Sequence, residues 1–139
     1  FHGAKGNHDT APSDTIDYVT IASTGNATDF GNRRTSRDWA YSYAISSSVR
    51  GIVKYTGEMN YITIASTGNT TDFGDPTVSD LFASGMSNNT RGIFTGGENS
   101  NVIEFVTIAT TGDAADFGDL QGNRSGGFGS CANGDGGHQ

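Results

Sequence analysis

The chain has little of what several protein classes require. Its single cysteine, Cys131, excludes an intrachain disulfide and argues against a zinc-ligand cluster. Only 8 residues are Lys or Arg against 15 Asp and Glu, and the net charge of −7 argues against a nucleic-acid partner and an anionic membrane surface. No apolar run approaches the roughly 18 residues that a transmembrane helix needs, and no signal peptide is visible. We therefore expect no nucleic-acid and no membrane partner.

Apolar side chains are also few, at 33% of the residues, while 21 residues are glycine. That composition is thin for a conventional two-layer core. The many aromatic, Ile and Val residues nevertheless argue against disorder, and together with the glycines and threonines they favour short strands joined by turns. The sequence opens at Phe1 without an initiator methionine, so we expect a processed product or part of a longer protein.

One segment of the sequence recurs three times. Its copies are YVTIASTGNATDFG at 18–31, YITIASTGNTTDFG at 61–74 and FVTIATTGDAADFG at 105–118. These copies start 43 and 44 residues apart, and a second block recurs between them, with Arg-Gly pairs at Arg50-Gly51 and Arg91-Gly92. A repeat of this length indicates one supersecondary unit that buries its apolar faces against its neighbours. The single repeat domain, 1–139, divides into approximate units 1–49, 50–90 and 91–139.

Alternating apolar residues predict strands inside each unit. In 61–65, Ile62 and Ile64 fall on one face of an extended segment. The segment 91–95 is a short apolar strand that ends at a double glycine. The segment 115–118 is too short to assign by pattern alone, and it either begins a fourth strand or forms a turn that buries its phenylalanine. Each unit is therefore predicted to hold three or four short strands.

Glycine followed by Asn or Asp recurs between these strands. The pairs are Gly25-Asn26, Gly68-Asn69 and Gly112-Asp113. Both residue types tolerate positive φ, so the pairs predict tight turns. A small meander cannot bury both of its faces, and radial stacking of such units gives a propeller. We predict an all-β fold of β-propeller blades, with three repeats of about 44 residues.

The repeat also resembles a known family. The double glycine of 91–97, followed by a strand with an aromatic at Phe105, resembles a kelch blade. The block 18–31, with Arg-Gly-Ile-Phe after it in the array, is similar to repeats in virion-associated proteins of tailed bacteriophages. The likeness covers nearly the whole chain, although Tyr55-Thr56-Gly57 lacks the double glycine and 136–139 replaces Arg-Gly-Ile-Phe. It implies a kelch-like propeller in a tail fibre or other appendage, located in the virion or extracellularly.

Three units are too few for a closed ring, because propellers usually have about 4–8 blades. We therefore expect completion by oligomerisation or by a longer parent chain. Closure between two copies would give a ring of six blades.

Aromatic and basic side chains are the candidate ligand-binding residues. Trp39, Tyr41 and Tyr43 alternate and have no counterparts in the other units, so they either form core between blades or offer a platform for a sugar ring. Arg50 and Arg91 occupy equivalent positions, where they either pair with acids of a neighbouring blade or contact a ligand at the mouth of the propeller.

Acidic side chains recur at equivalent places and are the candidate metal ligands. Asp72, Asp75, Asp116 and Asp119, together with Asp29, would lie on one rim, and calcium favours such oxygen ligands. The alternative is that these aspartates bond to their own backbone in turns and keep the surface charged. No loop has the dense acidic pattern of known calcium motifs. We expect no cofactor, with calcium as the alternative.

Catalytic motifs are missing from the sequence. Asp-Phe-Gly occurs three times but without the other kinase motifs, and there is no nucleophile elbow, zinc-protease motif or phosphate-binding loop. We expect a non-enzymatic phage virion protein that presents a rigid surface for host-receptor binding or appendage assembly. Its partners would be other copies of itself or other virion proteins, with host surface glycan as a further partner. The alternatives are a glycan-binding lectin, a secreted adhesive filament subunit, and a propeller enzyme that degrades polysaccharide.

Overall fold

A computed structural model describes residues 13–37, 42–79 and 83–124, and every regular element within them is a β-strand. Sheet A has two strands: β1 (Ser13–Tyr18) and β2 (Thr28–Arg37). Sheet B has four strands: β3 (Tyr43–Ser46), β4 (Arg50–Tyr55), β5 (Glu58–Thr63) and β6 (Thr71–Gly74). Sheet C has four strands: β7 (Ser84–Ser87), β8 (Arg91–Thr95), β9 (Ser100–Thr107) and β10 (Ala115–Arg124). The prediction of an all-β chain is confirmed.

Sheets B and C have the same topology. In each, every strand pairs antiparallel with the next one along the chain, which gives the orders β3-β4-β5-β6 and β7-β8-β9-β10. The two strands of sheet A match the third and fourth strands of the other sheets by sequence. The segment 115–118, which the sequence left open, begins the fourth strand of sheet C.

Turn chemistry accounts for the hairpins. A two-residue turn joins β4 to β5, with Tyr55 opposite Glu58 and Gly57 at φ 78°. Such a left-handed backbone favours glycine. The corresponding connection in sheet C is longer and includes Gly96 at φ 68° and Asn99 at φ 61°. The double glycine therefore ends β8 as predicted, and its absence from sheet B goes with a tighter turn.

Sheets B and C share one apolar core. Its buried members are Ile45, Ile52, Met59 and Phe73 from sheet B, with Phe94, Val106 and Ile108 from sheet C or the loop that follows β9. Burying each of these side chains contributes about 1.5–3 kcal/mol. The sheets come close together, since a Cβ on Gly92 would stand 1.9 Å from Cδ1 of Ile45. The apolar side chains that alternate along the strands therefore pack against the neighbouring sheet.

One prediction about local structure holds in part and another is wrong. The predicted strand at 61–65 is confirmed over 61–63, since β5 begins at Glu58 and ends at Thr63, but Ile64 lies in the following turn. The Gly-Asn and Gly-Asp pairs do not form tight turns with Asn or Asp at positive φ, since Asn99 is the one described non-glycine residue there. They lie in extended loops, of which those of Gly68-Asn69 and Gly112-Asp113 contact the neighbouring sheet.

Trp39 and Tyr41 lie outside the described residues. None of the described elements is a helix long and apolar enough to cross a membrane.

Candidate functional site

The contact between neighbouring sheets occurs twice with the same geometry. The loop after the third strand of one sheet lies along the fourth strand of the sheet before it. Between sheets A and B, the Gly68 amide donates to the Phe30 carbonyl at 2.7 Å and the Thr70 amide donates to the Asn32 carbonyl at 2.9 Å. The Asn69 side chain completes the contact by accepting from the Asn32 amide at 2.9 Å.

Sheets B and C repeat each of these bonds. The Gly112 amide donates to the Phe73 carbonyl at 2.7 Å, and the Ala114 amide donates to the Asp75 carbonyl at 2.9 Å. Asp113 takes the place of the asparagine and accepts from the Asp75 amide at 3.0 Å. The Thr-Gly-Asn segment of the repeat therefore serves to bond one sheet to the next. We call this arrangement the loop-to-strand contact.

Glycine in Asp-Phe-Gly makes room for the loop. A Cβ on Gly31 would stand 2.3 Å from the Gly68 carbonyl oxygen, and a Cβ on Gly74 would stand 2.3 Å from that of Gly112. Real Cβ atoms do not approach other atoms so closely, and the atoms in the way belong to backbone. The Asp-Phe-Gly triplet is thus the surface that receives the next sheet.

A buried ion pair also joins sheets B and C. Lys54 of β4 and Glu104 of β9 are each 1% exposed, and the Lys54 ammonium donates to Oε1 of Glu104. The other carboxylate oxygen accepts from the Thr77 amide at 2.7 Å and from the Thr77 hydroxyl at 2.6 Å. Both charges therefore have partners, which is the condition for burying them.

The sequence did not single out this pair. The position equivalent to Lys54 holds Thr95, and the positions equivalent to Glu104 hold Asn60 and Asp17. The one available signal was that a lysine and a glutamate interrupt apolar strands, each in one copy of the repeat. Their separation of 50 residues gave no local spacing to recognise.

Arg50 links the same two sheets. Its guanidinium lies 4.2 Å from the centre of the Tyr61 ring and donates to the Ile108 carbonyl at 2.8 Å. Arg91 stacks in the same way over Phe105, at 4.6 Å. Across the sheets Arg50 thus binds a carbonyl oxygen, where the sequence suggested an acid or a ligand.

These equivalent arginines give a matched test of the cross-sheet bond. Arg50→Gln should lower the free energy of unfolding by about 1–3 kcal/mol, because it loses both ring stacking and a charge-assisted hydrogen bond. Arg91→Gln should lower it by about 0.5–1 kcal/mol, because within one chain only the stacking is lost. Urea unfolding followed by circular dichroism measures both values. Equal losses for the two variants would contradict a stabilising role for the bond to Ile108.

The remaining predicted site residues do not form one cluster. Tyr43 is partly buried and packs against the core of sheets B and C. Asp72 forms an exposed ion pair with Arg34 at 2.8 Å. The Asp116 carboxylate accepts from the Gly118 amide two residues on, at 3.1 Å.

Metal ligands do not gather in the part of the chain that the structure describes, where no three His, Cys, Asp or Glu side chains come together. Asp75 and Asp119 are exposed residues after the Phe-Gly pairs of their units. The structure thus places the candidate calcium ligands on successive fourth strands and their edges, and the calcium interpretation remains a prediction.

A small polar pocket lies beside the loop between β1 and β2. Its lining residues are Tyr18, Thr20, Ser23, Gly25, Asn26 and Thr28. An aromatic ring flanked by hydroxyl and amide groups is the combination that suits a sugar. Sequence reasoning missed this pocket, because it treated the loop as a turn.

No protein-family model and no curated protein sequence matches the chain. The contacts between its sheets are therefore the features that bear on its function.

Proposed function

We propose that this chain is a non-enzymatic structural or adhesion protein of phage virions, with sheets B and C as two blades of a kelch-like β-propeller. The observation that supports it most is the loop-to-strand contact, formed with the same bonds twice. Propellers are built by stacking like sheets of four strands around an axis. On this proposal, sheet A supplies the third and fourth strands of one further blade.

The use of the buried charges supports a scaffold over an enzyme. Lys54 and Glu104 bind each other and Thr77 in the contact between sheets. A catalytic carboxylate has to reach its substrate, and Glu104, at 1% exposure, does not face solvent. Lys54 and Glu104 thus hold the sheets together, as a rigid display surface requires. The virion setting is supported by the resemblance of the repeat.

Immunogold electron microscopy of phage particles whose genome encodes the chain tests the proposal. We expect label on a tail fibre or other appendage, and no release of reducing sugar when the purified chain is incubated with host polysaccharide. Phage particles that lack the antigen are the control and give the background labelling. Unlabelled particles would contradict the virion role, and sugar release that survives repurification would contradict the non-enzymatic role.

A glycan-binding lectin is the second candidate, and the polar pocket beside Tyr18 favours it. Binding of the purified chain to an array of bacterial surface glycans separates the two. Array binding together with unlabelled particles would replace the virion proposal, whereas array binding with labelled appendages would make the chain a receptor-binding part of the virion.

A further inference from the structure

The loop-to-strand contact consists of a loop and a strand. Among the described residues, one such loop and one such strand remain without a partner. Within 13–37, 42–79 and 83–124, the loop of sheet A lies on no preceding sheet, and the Asp-Phe-Gly strand of sheet C receives no loop. We call the first the loop surface, formed by Val19, Ile21 and Gly25–Ala27. We call the second the strand surface, formed by Arg91 and Phe117–Asp119.

Side-chain exposure marks the loop surface as uncovered. Ile21 is 98% exposed, whereas the equivalent Ile64 and Ile108 of the two docked loops are 40% and 1% exposed. Val19 is 58% exposed, against 6% for Ile62 and 3% for Val106 at the same position. Large apolar side chains exposed two residues apart on one loop indicate an interaction surface.

The strand surface shows the same difference. Phe117 is 50% exposed, whereas the equivalent Phe30 and Phe73 are 6% and 2% exposed. A Cβ on Gly118 would have no described atom within 4 Å, although on Gly74 it would meet the next loop at 2.3 Å. The space that a loop fills twice in the molecule is thus open here.

The first turn of the loop is the same in the open copy and the two docked copies. In all three copies the amide of the serine or threonine before Thr-Gly bonds to the carbonyl three residues earlier: Ser23 to Thr20, Ser66 to Thr63 and Thr110 to Thr107, at 3.2, 3.3 and 3.1 Å. The two docked loops and the open loop therefore share this turn. Binding through a preformed loop loses little conformational entropy.

The geometry points to head-to-tail association of this chain with a second copy, whose loop surface docks on the strand surface of the first. The inference rests on the stacked-sheet architecture of the proposed function and names the partner. By equivalence, the amides of Gly25 and Ala27 donate to the carbonyls of Phe117 and Asp119, and the Asn26 side chain accepts from the Asp119 amide.

Two further contacts are expected across the same interface, one from a guanidinium and one between apolar side chains. Arg91 stands over Phe105 as Arg50 stands over Tyr61, so its guanidinium is placed to donate to the Ile21 carbonyl of the second copy. The exposed faces of Val19 and Ile21 then cover Phe117. Because the two surfaces differ, the interface is heterologous, and it produces a closed ring or an open filament according to the rotation between copies.

Sedimentation velocity over a range of concentrations tests the association with two variants that each spoil one surface. Ile21→Glu places a charge on the loop surface, and Gly118→Val fills the space for the loop. Each should weaken self-association about 30-fold or more, the effect of losing a central interface residue. Val49→Glu is the matched control, since Val49 is 62% exposed in a turn of sheet B, and it should associate like wild type.

Mixing the two variants distinguishes a head-to-tail interface from any other. The Gly118→Val chain keeps its loop surface and the Ile21→Glu chain keeps its strand surface, so the mixture should form a 1:1 complex that grows no further. A wild-type chain that stays monomeric at all concentrations, or a mixture of variants that stays monomeric, would overturn the inference. Labelled virions with a monomeric chain would leave the proposed function standing, so the two failures are distinguishable.

Discussion

Lys54→Met is expected to lower the free energy of unfolding by about 3–5 kcal/mol, because it leaves the Glu104 carboxylate charged and buried without its cation. Both side chains are 1% exposed, so water does not replace the missing partner. The total stability of a domain is about 5–15 kcal/mol, and the loss is therefore a large share of it. Urea unfolding followed by circular dichroism measures the change through the transition midpoint.

The double variant Lys54→Met with Glu104→Gln separates the pair from its surroundings. The glutamine still accepts from Thr77, and neither residue carries a charge. Replacing a buried ion pair by uncharged groups costs much less than breaking it, so the double variant should be more stable than Lys54→Met alone. Additive losses would mean that the two side chains act independently.

A surface pair on the same molecule supplies the control. Arg34 and Asp72 lie 2.8 Å apart, but their side chains are 54% and 56% exposed. Ion pairs of this kind contribute about 0–1 kcal/mol, so Arg34→Gln should change stability by no more than that. If Lys54→Met and Arg34→Gln had the same effect, the buried pair would not be what joins sheets B and C.

The strands could be read from the sequence because their signals are local. Alternation and repeat length predicted short strands of equal pattern in each unit, and β8 runs from Arg91 to Thr95 as the apolar run before the double glycine indicated. The fourth strand stayed open because the segment 115–118 is too short to assign by pattern, and its pairing with β9 is not visible in the local sequence. Local pattern thus predicted the strands better than their bounds.

The contacts between sheets could not be read in the same way. Gly68-Asn69 has the letters of a tight turn, yet its glycine amide bonds to a carbonyl of another sheet. Lys54 and Glu104 meet between sheets B and C, and the equivalent positions do not repeat the lysine, so repetition gave no indication of their pairing. Propensity describes neighbours along the chain, whereas both features arise from the approach of segments far apart in sequence.

Gly74→Ala is the second substitution with a large expected effect. It puts a methyl group 2.3 Å from the Gly112 carbonyl oxygen and 2.8 Å from the Asp113 amide nitrogen, both backbone atoms. The loop of sheet C has to move away, and the hydrogen bonds of the loop-to-strand contact are lost. At about 0.5–1.5 kcal/mol for each of three bonds, and about 1–3 kcal/mol for the backbone strain at φ 143°, we expect a loss of about 3–5 kcal/mol.

Gly118→Ala separates the clash from the strain, because Gly118 has φ 142° but no described atom near its Cβ position. Measured at a concentration where the chain is monomeric, it should keep only the strain term, so Gly74→Ala should be the more destabilising by about 2–3 kcal/mol. Hydrogen exchange gives a second measure, since Gly74→Ala should expose the Gly112 and Ala114 amides while Gly118→Ala leaves them protected. Equal stability losses with both amides still protected would mean that the loop does not hold sheet C to sheet B, and the same result would remove the basis for head-to-tail docking.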